Sequence, residues 1–584
     1  MSCELIYVYF NRIESLPCLH NQGFSLSNKY DIQVEVDEFE YCTSISISEK
    51  EDIYENIYSD VIKDINVIVG INGMGKTTLF DILGSTRNER KSKLLQWTFF
   101  FIYKTDDYFV IEGNNSDFIK EAIDNFSHPH GIHPEYSIKC SYNFEEKKFC
   151  FKNLCRESDR ESVVNKILYY KDRSNNAFKW NNKDNSYEDA MDYNVFIERQ
   201  IIAPSPLNIC NYINSIYSDK NWGDFSLPKI NAVLSIDGIN RKKLFWNGFD
   251  EKFRKKTFLL QFLLNYASDN CHGLNDENLS SIKEIVNELE EKSYNKILEY
   301  KDIDEYISKV LKKYEGEKYI QIYNLVNMIQ GLEDSFFSAT TLKGIWSNLM
   351  PSCMSLIFNV TDLKYRELLE TTDKIFGISN TLKIIYPRMS AGELKMIDIF
   401  SSIASFISDK GTHYIILLDE PEKSLHPEMS RRFICNLKTH AVMLAKVFNC
   451  TFQFLISTHT PFLISDVPKP HIHCLNKNQA GQYVIEKAKK GLMSNVHDIV
   501  KDTFFLDKPV GEFADVFFEE IIFEISNLNG ENKDRIRKII DDIDEPTIFT
   551  YLNKIYNEKI KKVLEDDDLI IYYEKQLEKL KEKK

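Results

Sequence analysis

The eight residues from Gly70 to Thr77, Gly-Ile-Asn-Gly-Met-Gly-Lys-Thr, limit what this chain can fold into more than any other feature. They satisfy G-x-x-x-x-G-K-T and follow the apolar run Ile65 to Val69, so the pattern predicts a buried strand, a tight turn and a helix starting near Lys76. Glycines let such a turn wrap closely around a polyphosphate and aim its N–H groups inward. The helix start adds the positive end of its dipole. Asn72, Gly73, Met74, Gly75, Lys76, Thr77 and Thr78 would form the cradle, with Lys76 reaching the β- and γ-phosphates and the Thr77 hydroxyl ligating Mg²⁺.

More than three hundred residues downstream, Tyr414 to Leu418 is an unbroken apolar run that ends in Asp419, Glu420 and Pro421. A central parallel strand is covered on both faces and reads this way, rather than alternating. Carboxylates at its C-terminal end lie where open α/β sheets place their ligands. Asp419 is suited to holding Mg²⁺, usually through a water, and Glu420 to orienting and deprotonating an attacking water. Before this strand, Met389-Ser390-Ala391-Gly392-Glu393 opens an amphipathic helix (Leu394, Ile397, Phe400, Ile403), and a Ser and a Gly at a helix start can bind an anion. After it, Thr451 to Ser457 reads as another buried strand, running into Thr458 and His459. Alone, S-x-G-E is an ordinary capping box and His459 a structural histidine. The specific signal is the order: phosphate loop, S-x-G-E, apolar-Asp-Glu, Ser424 to Pro427, strand-His.

That order resembles the ATP-binding-cassette superfamily, in the branch of soluble ATPases that includes RecF, SMC and OLD-type proteins. The resemblance is carried by Leu418 to Pro427 (Leu-Asp-Glu-Pro-Glu-Lys-Ser-Leu-His-Pro) and Ser457 to Asp466 (Ser-Thr-His-Thr-Pro-Phe-Leu-Ile-Ser-Asp). It implies ATP as the nucleotide, with Lys76, Glu420 and His459 as catalytic residues and Thr77 and Asp419 at the metal. Ser390, Gly392 and Glu393 would be the signature motif, Ser424 to Pro427 the D-loop, and His459 the switch that contacts the γ-phosphate. It also implies a head-to-tail dimer, in which the signature of one copy closes on ATP held by the other. Met389 and Ala391 depart from the usual signature. Gln200 is a candidate for the glutamine that senses the γ-phosphate, against the reading of a plain loop residue.

The expected fold class is α/β: an ABC-type head, with a parallel phosphate-loop sheet and an antiparallel β lobe, plus a helical insertion and a helical C-terminal tail. Residues 1–250 form the N-terminal lobe, with extended segments at Leu5 to Phe10, Ile32 to Val36, Trp97 to Tyr103, Tyr108 to Ile111, Tyr136 to Cys140 and Lys148 to Lys152. Within it, residues near 154–245 are mixed and rich in Asn, Asp and Ser, and read as loop-heavy. Residues 251–350 are the helical insertion, 351–480 the C-terminal lobe, and 481–584 a helical region. The insertion is too large for a compact transporter cassette and lacks the sustained heptads of an SMC arm.

At 584 residues, with 43% hydrophobic content and mean hydropathy −0.35, the chain has room for a large core. No apolar run is long enough for a transmembrane helix, and no signal-peptide pattern opens the chain, so a cytoplasmic protein with no membrane partner is expected. Twelve cysteines without a Cys-x-x-Cys pair point to reduced thiols. His128, His130 and His133 sit in a Pro/Gly-containing loop and read as a loop cluster rather than a metal site. A net charge of −15 does not point to a protein that coats DNA, so nucleic acid is only a possible partner. The acidic clusters Asp541 to Glu545 and Glu565 to Asp568 read as solvated helix surface, and no nuclease motif is present.

Met493 to Leu506 with Val510 to Ala514, and Asn21 to Ser27, resemble stand-alone ATPases of bacterial anti-phage modules, such as the PtuA-type ATPase of Septu and retron-associated systems. Those are encoded beside an effector, often an HNH nuclease. The expectation is an ATPase that oligomerises around ATP and regulates such an effector. The alternatives are a RecF-like DNA-repair ATPase and a self-sufficient OLD-like nuclease.

Overall fold

The computed structural model describes residues 3–13, 19–70, 73–86, 97–126, 135–155, 165–170, 197–202, 205–215, 231–236, 251–269, 300–313, 320–338, 355–375, 381–386, 389–477, 483–503 and 511–563, with isolated positions between 280 and 288 and between 571 and 574. They form two compact units, Met1–Ile499 and Val500–Lys584.

At the centre of the first unit is a seven-stranded sheet. Its order is Glu198–Ile202, Asn165–Tyr170, His413–Asp419, Thr451–Ser457, Ile62–Gly70, Ile472–Lys477 and Tyr483–Lys487. Every neighbouring pair is parallel except the last, which is antiparallel. The interior strands bury nearly every residue, as the apolar runs Ile65 to Val69 and Tyr414 to Leu418 require. Thr451–Ser457 lies between the phosphate-loop strand and the strand ending in Asp419, so three chain segments present their C-terminal ends side by side.

A second seven-stranded sheet is assembled from Gln22–Ser25, Cys3–Ile13, Trp97–Thr105, Phe109–Asn114, Glu135–Asn143, Lys148–Leu154 and Ile123–Asp124. It is antiparallel apart from the short parallel pairing of Ile123–Asp124. The expected α/β mixture of a parallel phosphate-loop sheet and an antiparallel sheet is therefore present. One apolar cluster joins the two sheets, with Leu5, Phe99 and Tyr103 packed alongside Ile68, Leu79 and Leu417.

Two regions differ from the sequence reading. The stretch near 154–245, read as loop-heavy, contains two core-sheet strands, the helix Pro206–Ser215 and the strand Asn231–Ile236. Runs as short as Ile167 to Tyr170 are overwhelmed in composition by the polar residues around them, and their strand identity comes from parallel pairing with His413–Asp419. Likewise Tyr483–Lys487, inside the stretch read as helical from residue 481, is the antiparallel edge of the core sheet. Helices Glu251–Asp269, Tyr300–Leu311 and Ile320–Gly331 lie within the expected helical insertion. A four-stranded antiparallel sheet joins Phe337–Ser338, Ser355–Asn359, Asn231–Ile236 and Leu382–Ile385.

The second unit holds helices Glu512–Ser526, Lys533–Asp541 and Pro546–Val563 around Ile521, Ile525, Ile536, Ile540, Leu552 and Tyr556. Its acids act locally: Asp541 pairs with Arg537 at 2.5 Å, and the Glu545 carboxylate accepts from the Ile548 amide at 2.6 Å. Glu565 to Asp568, Phe504 to Leu506 and the three histidines His128, His130 and His133 lie outside the described residues. Among the described residues no helix is long and apolar enough to cross a membrane, and no group of three or more His, Cys, Asp or Glu could hold a metal ion.

Candidate nucleotide site

Gly73 and Gly75 adopt φ of 81° and 91°, the left-handed region that a side chain disfavours, and they deliver the chain into the helix Lys76–Gly84. Asn72 lies outside the described residues. Lys76 is buried, and its ammonium donates to the Gly70 carbonyl at 2.8 Å across the turn. Burial lowers its pKa, opposed by the nearby carboxylates of Glu420, Asp419 and Glu422. The lysine is thus held at the mouth of the loop among negative groups.

Next to it, the Thr77 hydroxyl donates to Asp419 Oδ2 at 2.9 Å. The other Asp419 oxygen accepts from Ser457 Oγ, and that same hydroxyl oxygen accepts from the Glu420 amide at 2.9 Å. Burial raises the Asp419 pKa, while the bonds from Ser457 and Thr77 pull it back. A hydroxyl and an oriented carboxylate that already touch form the all-oxygen donor set a Mg²⁺ ion prefers, so these residues fit that ion. Glu420 follows with φ of 46°, which swings its side chain away from the strand direction, and His459 Nε2 stands 3.1 Å from Glu420 Oε1. Burial and the Lys76 charge lower the His459 pKa, against the pull of Glu420.

Residues 40–464 match the family described as the AAA ATPase domain. The chain belongs to that family. It is also similar to the Endonuclease GajA of Bacillus cereus (strain HuB5-5), at 21% identity over 350 residues, which cover 55% of this chain and 48% of that protein. The chain therefore spans about half the length of the curated relative it matches. Membership of the AAA ATPase domain family carries ATPase activity in general and nucleotide binding, typically with Mg²⁺.

In this AAA ATPase domain the remaining predicted residues are placed less uniformly. Ser390 caps the helix Ala391–Phe406, accepting from the Glu393 amide at 3.3 Å, while the Glu393 carboxylate accepts from the Ser390 amide at 2.8 Å. S-x-G-E is thus a reciprocal capping box, and its hydrogen bonds are internal rather than to the Lys76–Thr77–Asp419 group. Gly392 is closely covered: a Cβ there would meet Met429 Sδ at 2.8 Å, and the Ser424 carbonyl lies 3.7 Å away. The signature-like turn and the Ser424 to Pro427 loop are therefore neighbours within one chain. Ile397, Phe400 and Ile403 of this helix are buried as expected, but Leu394 is half-buried and Lys395, Met396 and Ile399 are buried too, so the helix is covered on more than one side. Gln200 is a mid-strand residue of Glu198–Ile202, not a loop residue, and its amide donates to Glu198 at 2.8 Å.

Sequence reading gave no role to three residues that organise the site: Ser457, Thr458 and Glu422. The last was quoted only within the phrase Leu418 to Pro427. Their signal was a hydroxyl pair at a strand end and a third acid just past Asp419-Glu420, which becomes informative only when the two strands are known to be neighbours.

Proposed function

We propose that this AAA ATPase is an ATP-driven switch built on an ABC-type head. Two copies close head-to-tail over ATP, hydrolyse it, and regulate a partner effector, such as an HNH nuclease, in bacterial anti-phage defence. The observation that carries the ATPase reading is the convergence of Lys76, Thr77, Asp419, Glu420 and His459 at the ends of three adjacent parallel strands.

Lys76 supplies positive charge to the phosphates, and the first amides of the helix Lys76–Gly84 add oriented donors. Thr77 and Asp419 would hold Mg²⁺, which when bound neutralises charge developing on the phosphate oxygens. Glu420 takes the proton of the attacking water, and His459 fixes the orientation of the Glu420 carboxylate through its Nε2 contact. Ser390 and Glu393 stand at an exposed to half-exposed helix start, available to a phosphate presented by a second copy. The defence reading is supported by the resemblance of Asn21 to Ser27, Met493 to Leu506 and Val510 to Ala514 to stand-alone anti-phage ATPases.

Glu420→Gln keeps the phosphate and Mg²⁺ contacts and removes the base. ATP binding should persist while hydrolysis falls by at least about a hundredfold, with the variant accumulating as an ATP-bound dimer in light scattering. Hydrolysis at the wild-type rate would remove Glu420 from its role, and a monomer under all conditions would remove the composite site. Affinity purification from the host, with and without ATP, tests the effector: a neighbour-encoded nuclease in stable ratio supports it, and an isolated homo-oligomer opposes it. A second reading, cleavage of DNA by this chain alone, is favoured by the similarity to a protein named an endonuclease. It predicts Mg²⁺-dependent cleavage by the purified chain.

A further inference from the structure

We propose that Glu422 is a positioning residue: its carboxylate ties the turn at Thr458 and His459 to the loop carrying Asp419 and Glu420, and so keeps the His459 ring against Glu420. The consequence for turnover rests on the ATPase reading above.

The strands His413–Asp419 and Thr451–Ser457 run parallel, and Asp419 and Ser457 are their last paired residues. Beyond that pair the Glu420 amide still donates to the Ser457 carbonyl at 3.2 Å, but the strand pairing does not continue. The chain after Asp419 is also wound unfavourably, with Glu420 at φ 46° and Ser424 at φ 75°, both left-handed and neither a glycine. Such a loop keeps one shape only if something outside its own backbone preference holds it. Glu422 does so from the middle of the loop. Its Oε1 accepts from both Thr458 Oγ1, at 2.5 Å, and the His459 backbone amide, at 2.8 Å. Hydrogen bonds to a buried carboxylate are stronger and more directional than those between neutral groups.

The geometry makes His459 a residue clamped at two points: its amide on Glu422 and its imidazole, 3.1 Å away, on Glu420. Two acids of one short loop thereby set one histidine. The Glu422 hydrogen bonds go to Thr458 and His459 and its influence on Lys76 is only through charge, so its loss should act on turnover more than on ATP affinity. Both donors converge on a single acceptor oxygen, which an amide can also supply.

The test uses the full chain, steady-state ATP hydrolysis, and hydrogen exchange at the His459 amide without nucleotide. Glu422→Ala should lower kcat about tenfold to a hundredfold, change KM for ATP far less and speed exchange at His459. Glu422→Gln should restore all three towards wild type. Thr458→Val removes one of the two bonds and should fall in between, and combining it with Glu422→Ala should add nothing further. If Glu422→Ala does not fold, Thr458→Val and Glu422→Gln still carry the comparison. A normal kcat with unaltered exchange in Glu422→Ala would overturn the proposal. So would a raised KM at constant kcat, or a Glu422→Gln variant as impaired as Glu422→Ala. If the wild-type chain hydrolyses no ATP, the function proposed above fails, while exchange at His459 still decides whether the tether exists.

Discussion

Two groups of ionisable and polar side chains share the core sheet of the first unit, and they are finished differently. At the C-terminal ends of the strands stand Lys76, Asp419, Glu420 and His459, with the Glu420 and His459 side chains each 35% exposed. On the face towards Cys3–Ile13 stand Asp64, Asn66, His471, His473 and Lys487, where Asp64 is 3%, His471 2% and His473 0% exposed. In this second group the chain itself supplies the partners. His471 Nδ1 lies 2.9 Å from Asp64, and Asn28 reaches the opposite ring nitrogen. Asn66 takes His473 Nε2 at 3.1 Å and donates to the Leu26 carbonyl at 2.7 Å. The Lys487 ammonium donates to the carbonyls of Ser25, at 3.3 Å, and Pro470. Both groups bring acids and bases together. Both groups are paired internally; what separates them is exposure, since Glu420 and His459 reach solvent at the strand ends whereas Asp64, His471 and His473 are sealed.

Substitutions can break this distinction, and the largest effect is expected at the open group. Lys76→Ala should cut ATP hydrolysis by at least about a hundredfold while thermal unfolding changes little, since a buried ammonium contributes charge to phosphates rather than cohesion to the core. A large loss of Tm with hydrolysis retained would place Lys76 in the structural class instead.

The sealed group should respond in stability alone. Burial holds the Lys487 pKa down at about 8, against 10.5 in the unfolded chain. Between those values the folded state binds fewer protons than the unfolded one, so stability rises with pH; below pH 8 the cost of the buried charge is present in full. Lys487 sits at the exposed edge strand, so solvent screens most of that shift: urea unfolding should show only a small gain across that window, and Lys487→Met should flatten it. Equal slopes would mean that another group governs the window. Asp64→Ala strands His471 and should cost about 1–3 kcal/mol in unfolding free energy with kcat/KM unchanged. An altered kcat/KM would merge the two groups. Smallest on stability is Ser390→Ala, which removes one helix cap worth about 1 kcal/mol. A hydrolysis defect well beyond that cost, and dependent on protein concentration, would add Ser390 to the open group as a residue acting on a second copy.

The residues legible in the sequence are those whose chemistry needs a fixed local spacing. The turn from Gly70 to Thr77 works only as a contiguous backbone loop, and Asp419-Glu420 works at the end of its own strand, so both could be read in place. Ser457, Thr458 and Glu422 could not, because their roles exist only across the Asp419↔Ser457 pairing. The strands Asn165–Tyr170 and Glu198–Ile202 were missed for a related reason: short runs within a polar stretch have no periodicity to announce them. Gln200, one of those strand residues, holds its amide against Glu198 at 2.8 Å.

By itself the sequence determined that a strand at Ile65 to Val69, a phosphate loop and a helix starting near Lys76 follow one another, and that apolar strands end in acids and in a histidine. Only the tertiary structure decided that these ends are adjacent, and that Thr77 meets Asp419 and Glu420 meets His459. The physical reason lies in the parallel sheet. Each strand's apolar run is a local property, but strand order is chosen by the packing of the whole unit, and a site built from the ends of three strands inherits that order.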